Sequence, residues 1–291
     1  MTQRNENLEL TFVSGLKGSY SSKVELFKDQ NDRQWVLKTV PEEEVGEIIN
    51  EKYFLDLLRS HGLNAIDYRS FPDQKPNQIL LEFLVNSITI SDGGTRKVYE
   101  LFGQQVAKLH SISFNQCLKL DSGSRTSVVG WQDFVLENLN YGLERIKTRE
   151  INFSTKELGL IIERIKELQE RQLNENMISL LHCDLHTNNA LYVQDPSEKI
   201  YLFDKGSDIL SGDPYYDLAL VLIEFPSLFG LKPILETDES LFQSFIQGYE
   251  FDFWESNKRL CQNYALLRAI KRIGSPFTPY LDDLIKSIIY T

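Results

Sequence analysis

"LLHCDLHTNNALYV", residues 180–193, sets two histidines, an aspartate and two asparagines between two apolar runs. Leu180–Leu181 and Ala190–Val193 read as short buried strands, because brief apolar runs bounded by turn residues are strand-like. The polar centre then falls at a strand end, where side chains can reach a cleft. Within it Asp184 is followed by Asn189 in the pattern H-x-D-x-x-x-x-N, and "IYLFDKG" (200–206) sets Asp204 at the end of a further strand pair. Either Asp184 or Asn189 alone is accounted for by a turn that caps its own backbone. The ordered trio points further. One free carboxylate, with an Asn and an Asp converging from paired strands, is what phosphoryl transfer to a hydroxyl or amine requires. Asn189 and Asp204 suit Mg2+ held on nucleotide phosphates, and Asp184 suits the role of accepting or orienting the acceptor's proton.

Working outward, the first half supplies a second group. Residues 8–13, 23–28 and 34–40 read as strands, followed by a helix over "PEEEVGEIINEKYFLDLLRSHG" (41–62) that starts at Pro, carries acids in its first turn and stops near Gly62. "NAIDYRSF" (64–71) and "QILLEFLV" (78–85) add two strands, giving β-β-β-α-β-β. Lys38 sits in the apolar strand "WVLK", whose interior ordinarily excludes an ammonium. Glu51 lies in the middle of the following helix, spaced so that it can face that strand. Such a pair can aim an ammonium at nucleotide phosphates; equally, Lys38 can snorkel and Glu51 be solvated. "VSGLKGSYSSKVEL" (13–26) places Gly15 and Gly18 between two strands, where backbone amides can fold over phosphates or simply form a hairpin turn. The stretch has neither G-x-G-x-x-G nor G-x-x-x-x-G-K-[ST], which counts against a P-loop ATPase.

After about residue 86 the pattern changes to long helices: 95–111, roughly 131–147, 155–173 and several between 215 and 288. A small mixed sheet joined to a mostly helical part is therefore expected, split as residues 1–84 and 85–291. The 291 residues suffice for two cores. A net charge of −11 argues against nucleic acid as a partner. No apolar run approaches the length of a membrane span, and "MTQRNENLEL" at the start has no apolar core like a signal peptide's. Cys117, Cys183 and Cys261 are too few and too dispersed for a disulfide framework, which fits reduced thiols in a cytoplasmic protein.

Taken in order, "VLK" (36–38), Glu51, "LLEFL" (80–84), "VAKLHS" (106–111), "HCDLHTNN" (182–189), "LFDKG" (202–206) and "GDPYYDLA" (212–219) resemble the aminoglycoside phosphotransferase and choline kinase-like superfamily, relatives of the protein kinases. The resemblance implies an α+β, protein-kinase-like bilobal fold, with an antiparallel-sheet lobe carrying one key helix and a larger helical lobe. It implies a small-molecule kinase using ATP or GTP with Mg2+. Under it, Lys38 binds the α- and β-phosphates and Glu51 orients it; Gly15, Gly18 and Ser22 belong to the phosphate loop; Glu82, Phe83 and Leu84 form the adenine-binding hinge. Asp184 is the base, and Asn189 and Asp204 are the metal ligands. His110, His182 and Asp217 hold the catalytic loop, and His186 is expected as an exposed loop histidine. Two positions depart from the pattern. Ser22 stands where relatives commonly carry Asn, and Lys205 follows Asp204 where an aromatic, apolar or small residue is usual; Lys205 is expected to point away.

Asp213 follows Asp204 by only nine positions, and nothing matches A-P-E, so a peptide platform is not expected and a small acceptor is. Glu224, Asp238, Glu239, Glu250, Asp252 and Glu255 could receive a cationic acceptor or lie on solvated faces, and "GYEFDFWE" (248–255) is the preferred pocket wall. The residues leave open an aminoglycoside, an amino alcohol, a sugar or an amino acid as acceptor. They also leave open a non-catalytic nucleotide-binding relative and a nucleotidyltransferase.

Overall fold

The computed structural model describes residues 9–16, 22–69, 75–120, 125–194, 197–206, 209–232, 238–274 and 280–291. In chain order come β1 (Thr11–Leu16), β2 (Lys23–Lys28), β3 (Gln34–Thr39), α1 (Val45–Ser60), β4 (Tyr68–Arg69), β5 (Gln78–Glu82), β6 (Ser87–Thr89) and α2 (Ile90–Gly93). Next are α3 (Arg96–His110), β7 (Leu118–Leu120), β8 (Thr126–Val128), α4 (Trp131–Thr148), α5 (Thr155–Gln169), β9 (Ser179–Leu180), β10 (Ala190–Val193), β11 (Lys199–Leu202) and β12 (Ser211–Gly212). The chain closes with α6 (Tyr215–Ile223), α7 (Asp238–Tyr249), α8 (Phe253–Ser256), α9 (Lys258–Arg272) and α10 (Leu281–Tyr290). The fold class is α+β, with an antiparallel sheet in the N-terminal region and helices dominating the C-terminal region. Two compact units form: Met1–Gly93 with Leu120–Thr126 and Asn188–Ser207, and Gly94–Lys119 with Ser127–Thr187 and Asp208–Thr291.

In the first unit, five antiparallel strands run in the order β1-β2-β3-β5-β4. Alternation along β3 sends Trp35 and Leu37 to one side and Val36 and Lys38 to the other. Helix α1 packs Ile48 and Leu55 against Val40, Ile79 and Leu81 in a single apolar cluster. A single 3-10 turn, Glu42–Glu44, precedes α1, and Gly62 follows it at φ 72°, a left-handed conformation that glycine adopts without Cβ strain. The first strand lies at 11–16, later than the expected 8–13, and its register shifts between Phe12 and Ser14. "LEL" (8–10) continues into the alternation of Thr11 and Phe12, so periodicity does not mark where the strand begins; Leu8 itself lies outside the described residues. Gly15 is therefore a strand residue opposite Glu25, not a turn residue, while Gly18 lies outside the described residues.

The β10–β11 hairpin belongs to this unit although it lies a hundred residues further along the chain. It forms a three-stranded antiparallel sheet, β11-β10-β6, with Ala190 opposite Leu202 and Leu191 opposite Thr89. The Asn64 amide ties it down by donating to the Ile200 carbonyl, 3.1 Å away.

In the second unit, helices start where side chains satisfy the free amides of the first turn. Thr95 accepts from Val98 N ahead of α3, and Ser154 and Glu157 form a reciprocal capping box ahead of α5. Helices α3 and α7 touch backbone to backbone. A Cβ on Gly248 would stand 1.8 Å from the Glu100 carbonyl oxygen, and one on Gly103 would stand 2.2 Å from that of Phe245. Helix α9 is buried continuously from Cys261 to Ile270. Among the described residues, no helix is long and apolar enough to cross a membrane, and all three cysteines are buried and outside any disulfide.

Candidate active site

The first unit gathers four of the expected residues. Lys38 is only 7% exposed and Glu51 1%, so the ammonium lies where burial alone is costly. Its Nζ donates to Glu51 Oε2 at 2.8 Å and also to Asp204 Oδ1. Glu51 Oε1 in turn accepts from the Asp204 backbone N–H at 3.4 Å. Burial pulls the Lys38 ammonium down, but the two carboxylates outweigh it and hold the group above the ordinary lysine value. The expected strand-to-helix pair is thus present as an ion pair, with Asp204 as a third member that the spacing of Lys38 and Glu51 did not predict.

Strand register explains how Asn189 and Asp204 reach the same end of the β10–β11 hairpin. With Ala190 opposite Leu202, the chain continues to Asn189 opposite Phe203, whose N–H donates to the Asn189 carbonyl at 3.2 Å. Asp204 follows directly, at φ 57°, a left-handed conformation unusual for a residue other than glycine. Asn189 is buried. Among the described residues no three His, Cys, Asp or Glu side chains assemble a self-sufficient metal site. A magnesium ion on nucleotide phosphates does not need one, since phosphate and water supply most of its oxygen ligands, and one Asn with one Asp suit that hard-oxygen preference.

The remaining first-unit expectations divide. The Phe83 N–H donates to Gln34 O at 3.0 Å and the Leu84 carbonyl accepts from Ser87 Oγ at 2.7 Å, so these two groups of the expected hinge already bond within the protein. Half-buried Val36, Leu84, Leu191 and Phe203 flank the apolar cluster under the sheet. Ser22 stands just before β2. Lys205, expected to point away from the phosphate site, is 4% exposed, and its Nζ donates to the Gly206 carbonyl at 2.6 Å.

In the second unit the site is a loop and its supports. After β9 the chain passes through Cys183 at φ 65° to Asp184. The buried Asp217, on α6, accepts from the backbone N–H groups of His182 (2.6 Å) and Cys183 (2.7 Å). His110 Nε2 lies 3.4 Å from the same carboxylate, and its Nδ1 lies 2.9 Å from the Tyr249 hydroxyl. Burial pushes the Asp217 carboxyl up, yet the hydrogen bond and charge of His110, with His182 beside it, prevail and hold it below the ordinary aspartate value. An ionised carboxylate therefore fixes the two residues preceding Asp184.

On the far side of the loop, Glu224 accepts from Thr187 N at 3.1 Å and from Thr187 Oγ1 at 2.8 Å. Its use as a receiver of a cationic acceptor gives way to a capping role. His186 is not an exposed loop histidine: it is half-buried, with Nε2 3.4 Å from Asp184 Oδ2. The expected pocket wall at 248–255 is mostly structural. Tyr249 bonds His110, Phe253 and Trp254 are core residues in an aromatic cluster with Phe242, and Asp252 caps α8 by accepting from Glu255 N. The acids interleaved with those rings gave the segment its surface-like pattern.

Arg272 was missed. From the end of α9 its Nη2 donates to Asp184 Oδ1, while Arg268, one turn earlier, donates to the Cys183 carbonyl. The signal was available: an arginine pair at i, i+4 inside the apolar run "YALLRAIKRI" (264–273) poses the same question as the lysine in "WVLK".

The protein-family model described as "Phosphotransferase enzyme family" matches residues 13–256. Among curated proteins, no match is found. Solved structures share the fold at low identity. Choline kinase LicA from Streptococcus pneumoniae is 17% identical over 97% of this chain and 95% of its own, with a TM-score of 0.63. The Plasmodium vivax ethanolamine kinase is 16% identical over 99% of this chain and 84% of its own, with a TM-score of 0.60. The ternary complex of streptomycin and ATP with APH(2″)-IIa is 15% identical over 97% of this chain and 91% of its own, also with a TM-score of 0.60.

Proposed function

The chain belongs to the phosphotransferase enzyme family, and from that premise we propose that it is a small-molecule kinase moving the γ-phosphate of ATP to a hydroxyl of a small acceptor. The observation that carries the reading is the meeting of Lys38, Glu51 and Asp204 in the first unit. Three charged side chains from a strand, a helix and a distant hairpin share one point. A core does not need such an arrangement, because burying charge costs stability unless each group is paired.

In this reading Lys38 neutralises the α- and β-phosphates, and Glu51 keeps its ammonium aimed at them. Asn189 and Asp204 would hold Mg2+, which when bound neutralises phosphate charge and orients the transferred group. Half-buried Val36, Leu84, Leu191 and Phe203 would face the adenine, with Glu82 to Leu84 as the hinge. Gly15 and Ser22 flank the proposed phosphate loop. Asp184 accepts or orients the proton of the attacking hydroxyl, and Asp217 holds its loop in place for that task. ATP is preferred as donor because a family-like fold is solved with ATP bound. The expected split at residue 84 is kept with one change: residues 1–84 serve the nucleotide together with the β10–β11 hairpin and its ends at Asn189 and Asp204, and the rest of 85–291 serves catalysis and the acceptor.

The test is calorimetric titration of ATP with and without Mg2+. The parent is expected to bind ATP tightly only with the metal, and Asp204→Ala to lose that metal dependence. Asp184→Asn is expected to bind ATP like the parent and to lose turnover by orders of magnitude. Equal metal-dependent affinity in Asp204→Ala would remove Asp204 from the site, and an active Asp184→Asn would remove the base.

A further inference from the structure

Helix α9 brings two arginines, one turn apart, to two consecutive residues of the Asp184 loop. The Arg268 guanidinium lies over the Tyr216 ring at 4.1 Å and bonds the Cys183 carbonyl; it is fully buried and serves packing. Arg272 differs. Its side chain and that of Asp184 are each 30% exposed, so their pair stands where a solute can reach it. His186 occupies the other side of the same carboxylate. Any hydroxyl that presents itself to Asp184 brings its own substituents close to a guanidinium. Burial draws the Arg272 guanidinium down to about 10, against the upward pull of Tyr280, so it remains charged at neutral pH.

Two of the acids that could have favoured a cationic acceptor are engaged within the protein, and two rings of the expected pocket wall are buried. Glu224 holds Thr187, Asp252 caps α8, and the rings of Phe253 and Trp254 lie in the core. We propose that Arg272 is a specificity-determining residue for the acceptor, selecting a hydroxyl compound with a carboxylate or other anionic group near the phosphorylated hydroxyl and disfavouring amino alcohols and polyamines. The inference rests on the kinase reading and deepens it. Opposite charges attract, and like charges repel, most strongly where water is partly excluded, and the position beside Asp184 is such a place.

The experiment compares ADP release from MgATP with three kinds of acceptor: choline, the neutral alcohol in which carbon replaces the choline nitrogen, and the hydroxy acids glycolate, glycerate and hydroxybutyrate. The parent is expected to respond to a hydroxy acid about tenfold more strongly in kcat/KM than to choline or the neutral alcohol. Arg272→Gln should abolish that preference, chiefly through KM, and Arg272→Lys should keep part of it. Thermal melts establish that both variants are folded. A parent that uses choline or the neutral alcohol as well as it uses every hydroxy acid overturns the proposal, as does an Arg272→Gln protein with the parent's preference. ATP titration on the same samples separates the two levels. Failure to bind ATP removes the kinase reading and this inference together, whereas ATP binding with the wrong charge preference removes the inference alone.

Discussion

Replacing Asp217 by asparagine tests the support of the Asp184 loop in quantitative terms. The carboxylate accepts from two backbone N–H groups, at 2.6 and 2.7 Å, and lies 3.4 Å from His110 Nε2, with no exposure to solvent. Asparagine keeps one oxygen and can serve one of the two amides. Its NH2 then faces the other N–H, leaving a buried donor unsatisfied, which costs about 1–3 kcal/mol. Losing the charge assistance of a carboxylate costs about 1.5–3 kcal/mol more. Together these span about 2.5–6 kcal/mol, centred on the range of about 3–5 kcal/mol lost when a buried charged partner is removed, and that narrower range sets the expected loss. A chain of 291 residues has an unfolding entropy of about 0.6 kcal/mol per kelvin, so the melting temperature should fall by about 5–8 °C. Urea unfolding followed by far-UV circular dichroism measures the loss independently. The pH dependence follows from the depressed pKa of Asp217. Its contribution is fully present above the unfolded aspartate pKa and disappears as pH falls through the lower folded value. Parent and Asp217→Asn should therefore differ at neutral pH and converge in strong acid. A variant within about 1 kcal/mol of the parent at pH 7 would mean that the Asp217 carboxylate does not hold the loop through these two amides.

Lys38→Met should lose most activity and about 3–5 kcal/mol of stability, because it leaves the carboxylates of Glu51 and Asp204 facing each other without their cation; paired kinetics and melts check both. Glu51→Gln should lose less activity, since Lys38 keeps its charge and its link to Asp204 while only its aim relaxes. If Lys38→Met melts and turns over like the parent, Lys38 is a packing residue. Gly248→Ala should cost about 3 kcal/mol in denaturant unfolding, because its Cβ would meet the Glu100 carbonyl at 1.8 Å and helices α3 and α7 must separate. An unchanged unfolding midpoint would mean that the two helices do not approach that closely.

Legibility in the sequence followed the range of the interactions. Helices α1, α3, α4 and α5 were readable from period and caps, because a helix closes its hydrogen bonds locally. The hairpin strands β2 and β3 were readable for the same reason. Strand β6 was not: Ser87–Thr89 is too short to alternate, and its partner β10 is a hundred residues away. Strands β7, β8 and β12, of two or three residues each, owe their form to tertiary neighbours. Even so, the polar run around Asp184 was placed correctly, after a short strand and before β10. In the site, Lys38 and Glu51 stood out because an ammonium in an apolar strand demands a partner. The depth at which Lys205 lies is not legible, because a lysine after a turn aspartate carries no apolar neighbours in sequence that demand burial. Arg272 carried the Lys38 signal but lay near a helix end rich in basic residues, "RAIKR" (268–272), where cations are expected from the helix dipole alone.

Transfer of the terminal phosphoryl group of ATP to a small molecule is read out atom by atom in the phosphorus NMR spectrum of a turnover mixture. With MgATP, choline, its neutral analogue and the hydroxy acids, the ATP signals should give way to those of ADP and of one new phosphate ester on the acceptor, and Asp184→Asn should show neither. AMP and pyrophosphate in place of ADP, or the same ester formed by Asp184→Asn, would contradict this expectation.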